Sequence, residues 1–109
     1  MRERGAVRLI PRHPVPVEIM TVGVAAARGL LANISEHGAC VWTETAFDEG
    51  EALVLRLGFK GESQSFQVAG EVVWSDRLGH SASRSRCGVR WAHPDGPRHD
   101  RLRVLIKGC

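Results

Sequence analysis

Aromatic residues are scarce in this sequence. Tyrosine is absent, and phenylalanine and tryptophan together make up only 6% of the 109 residues. Barrels that bind single-stranded nucleic acid stack the bases on exposed aromatic side chains. The three tryptophans, Trp42, Trp74 and Trp91, lie in apolar runs, and we predict that all three belong to the core. Binding of DNA or of single-stranded nucleic acid is therefore disfavoured, although the basic composition leaves it open as an alternative.

Motifs for metal binding and catalysis are also missing. The cysteines form no C-x-x-C pair, so neither a zinc site nor a thioredoxin-like site is indicated. The histidines show no ligand spacing and are predicted to lie in loops and on the surface: His13, His37, His80, His93 and His99. No nucleophile–base set and no glycine-rich phosphate loop is present. The sequence thus predicts no metal, no cofactor and no enzymatic activity.

The cysteine count and the hydropathy pattern indicate a cytoplasmic protein. The cysteines are Cys40, Cys87 and Cys109, and an odd number without a secretion signal is typical of a reducing compartment. Cys40 and Cys87 lie in strand-like apolar runs and are predicted to be small core residues. No apolar run approaches the roughly 20 residues of a membrane helix, so no membrane insertion is expected.

The length allows one small domain with one core. The net charge is +3 and the sequence pI is about 9.1, which suits an anionic partner without requiring one. Pro11, Pro14 and Pro16 push the first segment away from helix and towards an extended conformation. We therefore predict a flexible arm at residues 1–14 and a folded domain at residues 15–109.

Alternating apolar residues indicate six β-strands. Val15, Val17 and Ile19 have the period of a half-buried strand. The alanine-rich segment 25–34 is compatible with a helix by propensity, but its short length and its alternating neighbours favour a second strand. The remaining strands are predicted at 38–43, 52–59, 66–75 and 86–92, with the side chains of Phe66, Val68, Val72 and Trp74 on one face of the fifth.

Short strands separated by turn residues are typical of a closed antiparallel barrel. The tail differs, because Leu102, Leu105 and Ile106 recur at helical spacing and Pro97 suits a first helical position. The predicted fold is therefore mainly β, with a short C-terminal helix that closes one end of the barrel.

Arginines in the predicted arm are the first candidates for ligand binding. Arg8 and Arg12 are four positions apart, and four residues of extended chain span roughly 13 Å. A guanidinium matches phosphate bidentately and also matches the O6/N7 edge of guanine. Arg4 and Arg8 have the same spacing, but Arg8 and Arg12 lie closer to the first strand and are preferred. The alternative is that these arginines are only solvated charge.

A polar group of residues lies at the end of the second predicted strand. If Asn33 and Ser35 are both extended, their side chains point to the same side of the sheet and form a small hydrogen-bonding patch. Gly38 can adopt a positive φ and lets another group approach the backbone closely. The alternative is an ordinary turn, because asparagine and serine before glycine often bond nearby backbone groups.

Taken together, these motifs resemble those of the PilZ domain family. The resemblance begins with Arg8-x-x-x-Arg12 and a Pro-Val-containing strand, and continues with Asn33-x-Ser35-x-x-Gly38 about twenty residues later. Three further segments resemble strands of that family: residues 50–55 (GEALVL), 69–74 (AGEVVW) and 87–91 (CGVRW). The resemblance covers roughly residues 8–107, and the order and spacing of its short motifs make it specific.

The resemblance implies a six-stranded antiparallel β-barrel of the PilZ, or split-barrel, type that binds cyclic di-GMP. Arg8 and Arg12 would wrap the phosphates and guanine edges of this ligand. Asn33 and Ser35 would hydrogen-bond a guanine, and Gly38 would leave room for it. Whether one ligand or a stacked pair binds is open.

The function that the resemblance implies is that of a receptor or adaptor. Cyclic di-GMP would close the N-terminal arm and alter contacts with a downstream protein partner. The alternative within the same family is a protein-interaction module that binds no nucleotide.

Overall fold

The structure is a computed structural model that describes residues 8–21, 24–77, 85–92 and 97–107. These residues contain six strands and one helix. The elements are β1 (Pro16–Thr21), β2 (Val24–Ile34), β3 (Gly38–Thr43), β4 (Ala52–Leu57), β5 (Phe66–Arg77), β6 (Ser85–Trp91) and α1 (Pro97–Lys107).

The strands form a closed antiparallel barrel in the order β1-β2-β3-β6-β5-β4, and β4 pairs back with β1. The predicted six-stranded barrel with a C-terminal helix is thus confirmed. The ambiguous alanine-rich segment is strand β2, because its backbone pairs with β1 on one side and with β3 on the other. These two ladders outweigh the high helical propensity of alanine.

The barrel interior is filled by the apolar residues that alternate along each strand. Val17 and Ile19 of β1 and Leu53, Leu55 and Leu57 of β4 are all buried in one core cluster, which confirms the predicted faces of these two strands. Because successive side chains of a strand point to opposite faces, the residues between them lie on the outer surface of the barrel.

Helix α1 adds its apolar face to the same core. Leu102, Leu105 and Ile106 are buried in the core cluster, as their helical spacing predicted. His99 lies on the same face and is only 4% exposed, so the prediction of a surface histidine is wrong at this position. The reason is that residues 99, 102 and 106 share one side of a helix. His13 and His37 are exposed as predicted, whereas His80 and His93 lie outside the described residues.

The prediction of three core tryptophans is wrong for two of them. Trp91 is 3% exposed, but Trp42 is 42% exposed and Trp74 is 37% exposed. Trp42 alternates with the buried Val41 and therefore lies on the outer face of β3. In β5 the register shifts between Val72 and Trp74, and this bulge moves Trp74 to the outer face.

Candidate functional site

Arg8 and Asn33 meet on the outer face of the barrel. The backbones of Leu9 and Ile34 exchange two hydrogen bonds, which hold the segment before β1 against the end of β2. The Arg8 guanidinium donates a hydrogen bond of 3.0 Å from Nη1 to Oδ1 of Asn33. Two residues that are 25 positions apart in sequence, and that were predicted to share a site, are therefore in direct contact.

A pocket of about 270 Å³ lies around this contact. It is lined by Arg8, Asn33, Ala39, Cys40, Trp74, Arg86 and Gly88. The volume is just below the ~300–1,000 Å³ of typical small-molecule sites, so the pocket accommodates part of a larger ligand. A cavity of about 690 Å³ beside Leu30 and Trp42 is larger, but it does not include Asn33 or Arg8.

Arg86 of β6 is the second cation of the pocket, and sequence reasoning missed it. Its guanidinium carbon lies 5.4 Å from the ring centroid of Trp42 and 5.6 Å from that of Trp74. It makes no hydrogen bond within the described part of the chain, and its Nε is buried without a partner. Asp76 is 3.9 Å from Nη2. The Arg86 side chain is thus held by two aromatic faces and by the ion pair with Asp76, and its guanidinium lines the pocket.

Trp74 contributes the aromatic wall, which sequence reasoning placed in the core. In the ladder between β5 and β6, Trp74 lies opposite Gly88. A Cβ atom built at Gly88 would overlap the indole nitrogen of Trp74, so the ring rests directly on the glycine backbone. Only glycine at position 88 lets the indole lie this close to the sheet.

Cys40 is buried as predicted, at 7% exposed, but it lines the pocket and is not part of the core cluster. It alternates with the buried Ala39 and Val41 of β3, which point inward. Burial raises the pKa of the Cys40 thiol, while the charges of Arg86 and Arg8 lower it in part. The thiol is therefore neutral near pH 7, and the two arginines give the pocket a positive potential. By contrast, Cys87 is a core residue as predicted.

Ser35 organises the turn between β2 and β3 and does not line the pocket. It is 1% exposed, and its Oγ accepts a hydrogen bond from the backbone N–H of His37 at 3.2 Å. Its backbone N–H donates to the carbonyl oxygen of Gly38 at 2.8 Å. Because β2 ends at Ile34, Ser35 lies beyond the strand, and its buried side chain bonds within the turn instead of forming a patch with Asn33.

Gly38 packs closely against the neighbouring strand. A Cβ atom at this position would overlap the carbonyl oxygen of Val89 in β6. Its φ is not positive, unlike those of Gly50 and Gly61. The close approach that the sequence suggested is therefore made by the backbone of the same protein.

Arg12 is exposed and does not line the pocket. It lies between two points at which the backbone is hydrogen-bonded to β2. Leu9 bonds to Ile34, and the carbonyl oxygen of Val15 accepts a hydrogen bond from the N–H of Leu31. No hydrogen bond or ion pair joins Arg12 to the residues that the structure describes. Arg4, the alternative partner of Arg8, lies outside those residues.

In residues 8–21, 24–77, 85–92 and 97–107, no group of three or more His, Cys, Asp or Glu residues is placed to hold a metal ion. Nor is any helix in them long and apolar enough to cross a membrane.

The fold and pocket define a small closed antiparallel barrel with an arginine-bearing N-terminal segment at its outer face. The sequence profile of the PilZ domain matches residues 3–108, and the chain belongs to this family. The resemblance inferred from the motifs is thereby confirmed.

Solved structures of PilZ proteins have the same fold. The PilZ domain with c-di-GMP of YcgR from Escherichia coli is 17% identical with a TM-score of 0.77, over 98% of this chain and 91% of that chain. The inhibitor of motility MotI/DgrA of Bacillus subtilis is 20% identical with a TM-score of 0.70, over 99% of this chain and 52% of that chain.

A third structure, the MrkH–c-di-GMP complex of K. pneumonia, is 15% identical with a TM-score of 0.67 and covers 99% of this chain and 51% of that chain. At these identities the likeness establishes the fold. No curated protein matches the chain in sequence.

Proposed function

We propose that this protein is a cyclic di-GMP receptor or adaptor, not an enzyme, and that the ligand binds in the pocket between Arg8, Asn33, Trp74 and Arg86. The observation that carries the proposal is the hydrogen bond between Arg8 and Asn33, which joins the two family motifs in one pocket. The structures of the YcgR PilZ domain with c-di-GMP and of the MrkH–c-di-GMP complex are consistent with it.

The chemistry of the pocket matches that of the ligand. Cyclic di-GMP has two phosphates and two guanines, and the guanidiniums of Arg8 and Arg86 suit both phosphate oxygens and the guanine O6/N7 edge. The indole of Trp74 presents a flat apolar face on which a base can stack, a contact worth about 1–3 kcal/mol per base. Asn33 provides the amide, while Ser35 and Gly38 act by shaping the turn beside it.

Closure of the N-terminal segment is the proposed signalling step. Arg12 lies on an exposed stretch between the attachments at Leu9 and Val15. An anionic ligand in the pocket would attract its guanidinium, and the stretch would fold over the ligand. The altered surface would then change contacts with a downstream protein partner. The alternative, an interaction module without nucleotide binding, predicts no such ligand.

Isothermal titration calorimetry with cyclic di-GMP tests the proposal. We expect the wild type to bind, and Arg12→Ala to lose about 1.5–3 kcal/mol, which is the scale of a hydrogen bond to a charged group. The control is Arg56→Ala, because Arg56 is an exposed arginine of β4 that pairs with Glu18 away from the pocket. Absence of binding by the wild type at tens of micromolar ligand would favour the nucleotide-free alternative.

A further inference from the structure

A second cavity, of about 690 Å³, lies where β2, the end of β3 and the start of β6 meet. Its volume is within the ~300–1,000 Å³ of typical small-molecule sites. It shares no lining residue with the pocket around Arg8 and Asn33. The cavity is thus distinct from the proposed cyclic di-GMP site.

The apolar wall of this cavity is formed by Leu30 and Trp42, which lie opposite each other in the ladder between β2 and β3. Both side chains are exposed, at 49% and 42%. An indole face beside a branched aliphatic side chain suits a flat aromatic ring, because aromatic rings stack on one another with an offset. A ring in this position would also remove the apolar surface of both side chains from water.

The buried polar group of the cavity is the hydroxyl of Ser85. Ser85 lines the cavity and is 1% exposed, and its Oγ has no hydrogen-bond partner in the described part of the chain. Thr43 lies opposite Ser85 in the ladder between β3 and β6, but the hydroxyl of Thr43 donates to the carbonyl oxygen of Thr45. A buried hydroxyl without a partner is costly, so Ser85 favours a ligand that carries an N–H or O–H group to this depth.

Two exposed side chains of opposite charge also line the cavity, Arg28 and Glu44. Each is next to a member of the Gly29–Thr43 pair, on neighbouring strands. Among the residues that the structure describes, neither has a partner in a hydrogen bond or an ion pair. A guanidinium has only donors and suits a carboxylate, whereas a carboxylate accepts hydrogen bonds from an ammonium group. The rim therefore matches a zwitterion better than a simple anion.

We propose that this cavity is a second binding site and that its ligand is an aromatic amino acid whose ring carries an N–H or O–H group. The ring packs on Trp42 and Leu30, and its polar group bonds to the hydroxyl of Ser85. The α-carboxylate pairs with Arg28 and the α-ammonium group with Glu44. Tryptophan and tyrosine have all of these groups, and phenylalanine lacks the polar group on the ring. This inference does not depend on the proposed function.

Two-dimensional NMR of the isotope-labelled wild-type protein, with unlabelled L-tryptophan as the probe, tests the inference. We expect saturable shifts of the Trp42 indole N–H and of the Ser85 amide. The indole N–H of Trp91 should stay unchanged, because Trp91 lies in the core. The absence of shifts at Trp42 and Ser85 with about 10 mM ligand would overturn the inference.

Relatives of the probe separate the charged contacts. Tryptamine lacks the carboxylate and indole-3-propionate lacks the ammonium group. Each should bind about three- to fivefold more weakly than L-tryptophan, which is the scale of an exposed ion pair. Equal affinity for all three compounds would contradict the pairing with Arg28 and Glu44, and with it the choice of an amino acid as the ligand.

Ser85→Ala is the variant that tests the buried contact. Removing a buried hydroxyl that has no partner should not lower stability, so the variant should remain folded. The wild type should prefer L-tryptophan to L-phenylalanine, and Ser85→Ala should reduce this preference by about three- to tenfold through a loss of tryptophan affinity alone. An unchanged preference in the variant would contradict the role of Ser85.

Cyclic di-GMP distinguishes this inference from the proposed function. L-Tryptophan should bind within about threefold of the same affinity with and without saturating cyclic di-GMP, because the two cavities share no lining residue. Displacement of L-tryptophan by cyclic di-GMP would assign the second cavity to the nucleotide and overturn the inference. Binding of L-tryptophan by a protein that does not bind cyclic di-GMP would support the inference and overturn the proposed function alone.

Discussion

The side chain of Arg86 is positioned by the aromatic faces of Trp42 and Trp74 and by an ion pair with Asp76, and it makes no hydrogen bond within the described residues. Each cation–π contact is worth about 0.5–2 kcal/mol, and a planar guanidinium stacks on an indole in a way that an ammonium group does not. The identity of this residue as arginine, and not only its charge, therefore matters for the pocket.

Arg86→Lys is expected to weaken cyclic di-GMP binding by about tenfold, because lysine keeps the charge but loses the stacking and the bidentate fork. Calorimetry of the variant measures this. The matched control is Arg90→Lys on the same face of β6, since Arg90 is exposed and pairs with Glu71 outside the pocket. Equal losses of cyclic di-GMP affinity in the two variants would mean that Arg86 has no specific role in ligand binding.

The buried thiol of Cys87 makes the stability of the folded protein depend on pH in the alkaline range. Burial, and secondly the neighbouring Cys40, raise the pKa of the Cys87 thiol from 9.0 to about 11. Between these values the unfolded chain loses the thiol proton while the folded protein keeps it, so unfolding releases a proton. The stabilisation is complete below pH 9 and is lost as pH rises towards about 11.

Urea unfolding of wild type and Cys87→Ala at several pH values tests this linkage. We expect the variant to be less stable at pH 7.5 because a buried atom is removed, but its stability should fall less steeply between about pH 9 and 11. Parallel pH profiles for the two proteins would show that Cys87 does not contribute.

At the scale of elements, strand β6 stabilises the turn between β2 and β3 through hydrogen bonds. The indole N–H of Trp91 donates a hydrogen bond of 3.1 Å to the carbonyl oxygen of Ser35. The backbone N–H of Trp91 donates a second, of 3.0 Å, to the carbonyl oxygen of His37. Arg103 of α1 also approaches Glu36, at 3.7 Å. The turn that follows Asn33 is thus held from two sides.

Trp91→Phe removes the indole donor but keeps an aromatic ring in the core. We expect a loss of about 1–3 kcal/mol in the free energy of unfolding, because the buried carbonyl of Ser35 loses its partner, together with faster amide exchange at His37. Trp42→Phe is the control, since Trp42 is exposed. The free energy of unfolding of this variant should stay within about 0.5 kcal/mol of the wild-type value. A smaller effect at Trp91 than at Trp42 would contradict this account of the turn.

The strands and the helix were largely predictable from the sequence. For some residues, however, the sequence did not predict whether the side chain lies on the inner or the outer face of its strand. Regular alternation predicted β1 and β4, since the period of two runs from Val17 to Ile19 in one strand and from Leu53 to Leu57 in the other. The bulge between Val72 and Trp74 has no sequence signal in this chain, so the face of Trp74 was predicted wrongly. Trp42 was also misassigned, because its apolar character outweighed its position between Val41 and Thr43, which both point inward.

At the scale of the whole molecule, barrel closure assembles the pocket from separate segments. Arg8 precedes β1, Asn33 lies near the end of β2, and Trp74 and Arg86 lie on β5 and β6. The family motifs predicted the first two of these residues. The other two required the pairing of β3 with β6 and of β6 with β5, because those registers place Arg86 between two indoles.

Two-dimensional NMR of the three indole N–H groups during titration with cyclic di-GMP tests the central claim most directly. The probes differ in position: Trp74 lines the pocket, Trp42 contacts Arg86 from the other side, and Trp91 is in the core. We predict a large shift for Trp74, a smaller shift for Trp42 and the least for Trp91. A titration that leaves Trp74 unchanged while calorimetry reports binding would place the ligand elsewhere and contradict the account.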